Sequence, residues 1–309
     1  MYELSRLRTT HYASHSTFQV SGFEKTLDKT DGPLFAVNGC YAEERENMNA
    51  LSFPAVYDIA FQFRNAEHAG DFIDWCIARY AEIPVRRVMD IACGTGHYLR
   101  DLAGRGYDVV GIDLNPAACR YAEARAQEEA LSITIARQDM VRFTLPAPCD
   151  LGINFFDSLT YLCAPDAIEA HFVSAARALN PGGLYIIEFG VIDHFDNHNV
   201  EEVWTESREG MTVTATYMRD SWISPRTNTF EEKCSFSASY REHVAFFQVR
   251  FRKMALALEE FEALLARNGC FTTLAYYDDF DVDAEFDDDL VPWRVIAVLQ
   301  RNATVAAAH

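Results

Sequence analysis

Three carboxylates sit where short apolar runs give way to turns, and their spacing suits one elongated ligand. The first lies in Val88-Met89-Asp90-Ile91-Ala92-Cys93-Gly94-Thr95-Gly96-His97. Small residues there let a ligand press against backbone, because Gly94 and Gly96 carry no Cβ. The helix that opens next offers free N–H groups suited to a carboxylate. Asp90 at the strand end would repel a pyrophosphate and suits a cationic group such as an amino acid's ammonium. The second acid ends Val109-Val110-Gly111-Ile112-Asp113. A carboxylate at that place accepts both hydroxyls of a ribose, and Leu114 covers one face of a purine. Asp113 could instead cap the helix beginning at Pro116, although Asn115 is better placed for it. The third is Arg137-Gln138-Asp139-Met140, where Asp139 can accept from an adenine amino group and Met140 can pack on the ring. Position 99 is leucine, so the Gly-x-Gly-x-x-Gly of nicotinamide dehydrogenases is incomplete.

Five residues qualify as proton acceptors by their position after strands: Asp157, Tyr161, Glu188, His194 and His198. Of these, Tyr161, Glu188 and His194 are the catalytic candidates. Glu188 either pairs with a substrate amine or caps its strand. His194 and His198 have (i, i+4) spacing, but the residues between give no helix signal, so they read as loop histidines and no metal site is expected. His171 falls in a predicted helix and reads as structural. Trp204, Tyr217, Trp222, Phe236, Tyr240, Phe246 and Phe247 line later strands, where they serve a core, a pocket or a dimer interface.

The elements that must position these groups alternate regularly. Apolar positions over 57–80 suit an amphipathic helix broken near Gly70 and stopped by Pro84. Strands at 87–92, 108–112, 132–136, 151–155 and 184–189 alternate with helices at 96–104, 116–129 and 167–179. The last helix is stopped by Asn180-Pro181-Gly182-Gly183. This order predicts an open, doubly wound α/β sheet. After residue 195 the pattern changes to strands at 203–207, 211–221, 229–240 and 244–254, with no helix between them, which reads as an antiparallel meander. A helix at 258–267 and strands at 271–277 and 294–299 close the fold. The expected division is an N-terminal arm or lid over 1–55, a ligand-binding α/β domain over 56–195 and a β insertion over 196–255. Residues 256–301 complete the α/β domain and 302–309 form a tail.

The chain has 309 residues, 49% of them hydrophobic, and a formal net charge of -19. So acidic a surface repels phosphate backbones and anionic lipids, so neither nucleic acid nor membrane is an expected partner. Eight cysteines occur with no Cys-x-x-Cys pair, which points to reduced thiols in a cytoplasmic compartment. The acidic stretch 278–289 reads as a solvated loop that keeps an edge unpaired.

The stretches VMDIACGTGHYLRDLAGRGYDVVGIDLNP, RQDMVRF, INFFDSLTYL and ALNPGGLYIIE resemble the class I S-adenosylmethionine-dependent methyltransferases. Within them the chain looks closest to small-molecule enzymes with an inserted antiparallel sheet, such as the amino-sugar and glycine-type N-methyltransferases. The resemblance implies a seven-stranded Rossmann-like sheet that binds S-adenosylmethionine. It implies that Asp90, Ala92 and Gly94 line the methionine portion, that Gly96 is a further cofactor-binding residue and that Asp113 holds the ribose, with Leu114 beside the adenine. Asp139 and Met140 would hold the adenine, and Phe155 and Phe156 would lie near the sulfonium. Tyr57 matches an aromatic residue of an N-terminal helix that closes over the cofactor, although the family's Tyr-Asp-x-x-Tyr continues here with Phe61. The implied reaction is in-line methyl transfer to a small-molecule acceptor, on nitrogen first, with O- or C-methylation or a non-methylating cyclase as alternatives. Self-association through the β insertion or the N-terminal arm is the expected oligomeric contact.

Overall fold

The computed structural model describes residues 48–49, 52–191, 200–219, 224, 226–282 and 294–303. Most of the arm, Trp222, His194 and His198 lie outside the described residues, as does most of the acidic stretch.

The elements run in chain order as β1 (Met48–Asn49), α1 (Pro54–Ala60), α2 (Ala66–Tyr80), β2 (Arg87–Ile91), α3 (His97–Gly104), β3 (Asp108–Asp113), α4 (Pro116–Glu128), β4 (Ile133–Arg137) and β5 (Cys149–Asn154). A single 3-10 turn at Ser158–Tyr161 leads into α5 (Pro165–Ala178) and β6 (Leu179–Gly190). Then follow β7 (Val200–Arg208), β8 (Met211–Arg219), β9 (Thr229–Tyr240), β10 (His243–Met254), α6 (Leu258–Asn268), β11 (Phe271–Tyr277) and β12 (Arg294–Arg301).

Seven strands form one sheet in the order β11-β12-β6-β5-β2-β3-β4. β2 pairs in parallel with both β3 and β5, and β12 alone runs antiparallel to its neighbours β6 and β11. Strands buried on both faces need near-continuous apolar runs, and Val88 to Ile91 is buried throughout. One face carries α5 and α6 through Phe172, Phe261 and Leu264. The other carries α2 and α3 through Phe72, Ile73 and Leu99. The strand order reverses between β2 and β5, so a crevice opens beyond their carboxyl ends. Four antiparallel strands form a second sheet, β10-β9-β8-β7, with β1 added in parallel on the β10 edge. Its β7–β8 turn uses two left-handed residues, Glu209 (φ 53°) and Gly210 (φ 81°), whose twist matches a tight hairpin.

Two expected boundaries move. The 57–80 segment breaks at Phe61–Asn65 rather than at Gly70. Asn65 caps α2 by accepting from the His68 N–H at 3.1 Å. Gly70 sits inside α2 because α3 crosses there, and a Cβ would lie 2.1 Å from Asp101 Oδ2. Asn180-Pro181-Gly182-Gly183 does not separate α5 from a later strand. β6 already starts at Leu179, opposite Cys149, and its register shifts before Leu151 meets Leu184. At Gly183 a Cβ would meet the Asp150 carbonyl oxygen at 2.8 Å.

His171 is structural, as expected. Its ring is buried and bridges the Met140 carbonyl oxygen (2.9 Å) and the Tyr185 hydroxyl (2.6 Å). Burial pushes its pKa down to about 4, against about 6.5 unfolded. The unfolded chain therefore binds an extra proton between those values. Stability is complete above pH 6.5 and declines as pH falls toward 4, by about 3 kcal/mol for this group. His171→Asn should flatten that slope in urea unfolding followed between pH 7 and pH 4.5. An unchanged slope would show that other groups set it.

Candidate functional site

The carboxyl ends of β2, β3 and β5 bring the predicted cofactor residues together. Asp90 is 2% exposed, and its Oδ2 has no hydrogen-bond partner in the protein. Burial, and then the neighbouring Asp113, push its pKa well up. An acceptor this buried needs a donor, and an ammonium group supplies one. Ala92 and Gly94 both adopt left-handed backbone (φ 61° and 53°). A Cβ added at Gly94 would meet nothing within 4 Å, so the open space beside it suits a ligand. Gly96, the α3 N-cap (φ 74°), instead faces the Ala122 Cβ, 2.9 Å from an added Cβ, and is small to let α3 meet α4.

Asp113 is held by the N–H groups of Gly94 (2.8 Å) and Asn115 (2.7 Å). Asn115 caps α4 by accepting from the Ala117 N–H at 2.9 Å. Asp113 is thus left off the helix, one carboxylate oxygen on each backbone donor and further lone pairs on both. Leu114 is 60% exposed at the end of β3, an apolar surface with room for a ring. Asp139 is exposed and accepts from the Val141 N–H at 2.9 Å, while half-buried Met140 packs on the core. These features fit S-adenosylmethionine: an orphaned acid for its ammonium, an open glycine cradle, a fixed carboxylate and an uncovered leucine. Asn154 was not foreseen. It is fully buried one strand away, donates to the Ile91 carbonyl oxygen at 2.7 Å and keeps an unpartnered Oδ1.

Asp58 was not foreseen either. It follows Tyr57 on α1 and is 4% exposed. Its Oδ1 accepts from Thr95 of the glycine turn at 2.6 Å. Its Oδ2 accepts from Tyr121 of α4 (3.0 Å) and from Arg208 of β7 (2.6 Å). Burial opposes its charge, but Arg100, Arg208 and the Thr95 hydroxyl outweigh burial and hold its pKa low.

Next to these groups, between the first sheet and the inner face of the second, lies a cavity of about 810 Å³. Tyr57, Phe156, Asp157, Tyr161 and Glu188 line it. Phe155 does not: its ring is 2% exposed and packs edge-on against Tyr98 and Phe280 in the core. Successive side chains at a strand end point oppositely, so only one of the two phenylalanines can reach the cavity. Phe156 and Asp157 are left-handed (φ 61° and 56°), a conformation that costs roughly 1–2 kcal/mol per residue. Such strain clusters at ligand sites.

Two ion networks shape the cavity wall. Glu188, fully buried, accepts from Arg64 (2.7 Å), from Arg294 (2.9 Å) and from the Phe156 N–H (2.8 Å). Arg294 also meets Asp279 at 2.7 Å. Glu188 is therefore fully engaged within the protein and neither merely caps its strand nor stands open to an amine. Lys253 of β10, 8% exposed, lies 2.7 Å from Asp157 and 2.9 Å from Glu232. Tyr217 donates to Glu232 as well. Burial alone would lower the Lys253 pKa, but the two carboxylates beside it push it well up. Burial pushes the Tyr161 and Tyr57 phenols up. Among the described residues no group of three or more His, Cys, Asp or Glu could hold a metal, and no helix is long and apolar enough to cross a membrane.

Known proteins match this arrangement. Residues 88–183 match the family model described as a methyltransferase domain. A methyltransferase of Geobacillus sp. (strain WCH70) is 22% identical over 77% of this chain and 94% of its own length. Shorter matches reach a dTDP-3-amino-3,4,6-trideoxy-alpha-D-glucopyranose N,N-dimethyltransferase of Streptomyces venezuelae, 27% identical over 43% of this chain and 55% of that protein. They also reach a ubiquinone biosynthesis O-methyltransferase of Hahella chejuensis, 31% identical over 36% of this chain and 44% of that one. An S-adenosylmethionine-dependent methyltransferase structure from Clostridium acetobutylicum superposes with a TM-score of 0.68 at 18% identity, over 81% of this chain and 98% of that one. The strand order, the fit of the glycine turn and these matches agree: the chain is a class I S-adenosylmethionine-dependent methyltransferase.

Proposed function

We propose that the enzyme methylates the nitrogen of a small-molecule amine seated in the cavity. The observation that carries this reading is the inner wall, where one ammonium, Lys253, faces two carboxylates, Asp157 and Glu232. S-adenosylmethionine supplies a methyl group on a positively charged sulfur. When a neutral amine attacks it, positive charge moves onto nitrogen, and a cavity lined by five carboxylates against four cations favours that movement. An oxyanion or carbanion nucleophile would be opposed by the same lining. The lining phenols are pushed further from ionisation by burial, which also disfavours them as bases.

In this reading Asp90, Ala92 and Gly94 hold the methionine end, and Asp113 the ribose. Leu114, Asp139 and Met140 hold the adenine. Tyr57 and Phe156 flank the reacting methyl, and Tyr161 orients the acceptor. Glu188 acts through Phe156, whose N–H it holds, as a positioning residue. Alignment of nitrogen, methyl and sulfur supplies most of the acceleration, roughly 7–11 kcal/mol for well-oriented reactants. The amine's proton must leave before attack, and His68, exposed on the cavity rim, can take it to solvent.

The test is incubation with S-adenosylmethionine bearing a deuterated methyl, against amines, amino sugars and phenols, with products read by mass spectrometry. Label on nitrogen is expected. Label on oxygen or carbon would overturn the nitrogen reading.

A further inference from the structure

The residues around the cavity say more about its occupant. Ten of the 24 lining residues are aromatic: four tyrosines, five phenylalanines and Trp204. Val191 is the one aliphatic hydrophobe among them. A cavity for a plain apolar body would be lined by leucine and isoleucine as readily as by rings. Rings offer in addition a negative face to a cation. The protein already uses two of them so: the Arg64 guanidinium lies 4.6 Å from the Phe156 ring centre and Lys253 5.2 Å from that of Tyr161. Around Phe61 a second group forms, with Tyr57 at 4.5 Å, Phe156 at 4.9 Å and Trp204 at 5.4 Å between ring centres. Phe63 joins it through Trp204 at 5.8 Å. Trp204 is fixed by its Nε1–H, which donates to the Ala60 carbonyl oxygen at 2.6 Å.

Charge selects in the same direction. Five carboxylates line the cavity against four cations, Arg64, Arg219, Lys253 and Arg294. Arg64, Lys253 and Arg294 are committed to carboxylates within 3 Å, and Arg219 lies directly across from Glu232 in the β8–β9 register. A phosphorylated ligand would need cations in excess to replace its lost hydration.

We propose that this cavity is a receptor for an alkylammonium group, held by the Phe61 ring cluster and the Asp157–Lys253–Glu232 wall, and that it rejects acceptors carrying phosphate. The inference rests on methyl transfer to nitrogen. It adds that the amine arrives as a cation on a phosphate-free molecule and that its methylated product is bound by the same rings.

Calorimetry on the full chain saturated with S-adenosylhomocysteine tests it. The probes are choline, its uncharged isostere 3,3-dimethylbutan-1-ol, and dTDP. Choline should bind about tenfold or more tightly than the isostere, and dTDP should not compete with it. Phe61→Leu, which keeps an apolar side chain of similar bulk, should remove most of that preference. Glu232→Gln should do so as well, provided S-adenosylhomocysteine affinity is retained as a check on folding. Equal binding of the two isosteres, no choline binding, or competition by dTDP would each overturn the receptor. The outcomes separate from those of the labelling experiment. Label on nitrogen with dTDP competing overturns the receptor alone, whereas label on oxygen with choline preferred overturns the nitrogen reading alone.

Discussion

Glu188→Ala should lower the stability of the enzyme by about 3–5 kcal/mol, the usual cost of removing one partner from a buried ion pair. The side chain is fully buried and neutralises two guanidiniums, Arg64 and Arg294, from opposite ends of the chain. Its loss leaves Arg64 facing a methyl group, takes one of Arg294's carboxylates and strips the Phe156 N–H of its acceptor. Against a total stability of about 5–15 kcal/mol for ordinary domains, this is a large fraction. The urea midpoint should fall by about 1 M or more. Glu188→Gln keeps the shape and one acceptor oxygen, and should cost less. An unchanged midpoint in the alanine variant would mean that these pairs contribute nothing net.

The second large effect concerns the cofactor. Asp113→Ala should weaken S-adenosylhomocysteine binding by roughly 10²- to 10⁴-fold, because two hydrogen bonds to a charged acceptor, each about 1.5–3 kcal/mol, are lost. The carboxylate also orders the Gly94 and Asn115 N–H groups, so thermal unfolding should be measured alongside. Asp113→Asn should fall between, retaining one acceptor oxygen without the charge. Wild-type affinity in the alanine variant would remove Asp113 from the ribose.

Most of the α/β frame could be read from the chain because it is local. An apolar run such as Val88 to Ile91, a proline at the first turn of α4 and a cap such as Asn115 each act within a few residues. The places of Asp90, Asp113 and Asp139 followed for the same reason, since each stands at or just past the end of its own strand. The break at Phe61–Asn65 was misplaced because Gly70 looks like a helix breaker alone. Its reason is a through-space one, the close approach of Asp101. The cavity networks were illegible for that reason too. Arg64 and Glu188 are 124 residues apart, and Arg294 and Glu188 are 106 apart. Lys253 carried one signal, a lone ammonium near the end of a strand rich in Phe and Val, but nothing in its neighbours named Asp157 or Glu232 as its partners. Phe155 and Phe156 could not be told apart until the end of β5 fixed which of them turns inward.

The Asp58 carboxylate belongs at once to the glycine turn, through Thr95, and to the second sheet, through Arg208. Its neighbour Tyr57 lines the cavity between the sheets. One buried charge therefore has a stake in both ligand sites, and anything that shifts Thr95 changes the field that Arg208 and α1 experience. Coupling of that kind is reciprocal by thermodynamic necessity: to whatever degree a bound nucleoside tightens the acceptor's hold, a bound acceptor tightens the nucleoside's by the same factor. Where that coupling is positive, the half-loaded enzyme is rarer than the separate affinities would give; where it is negative, it is commoner.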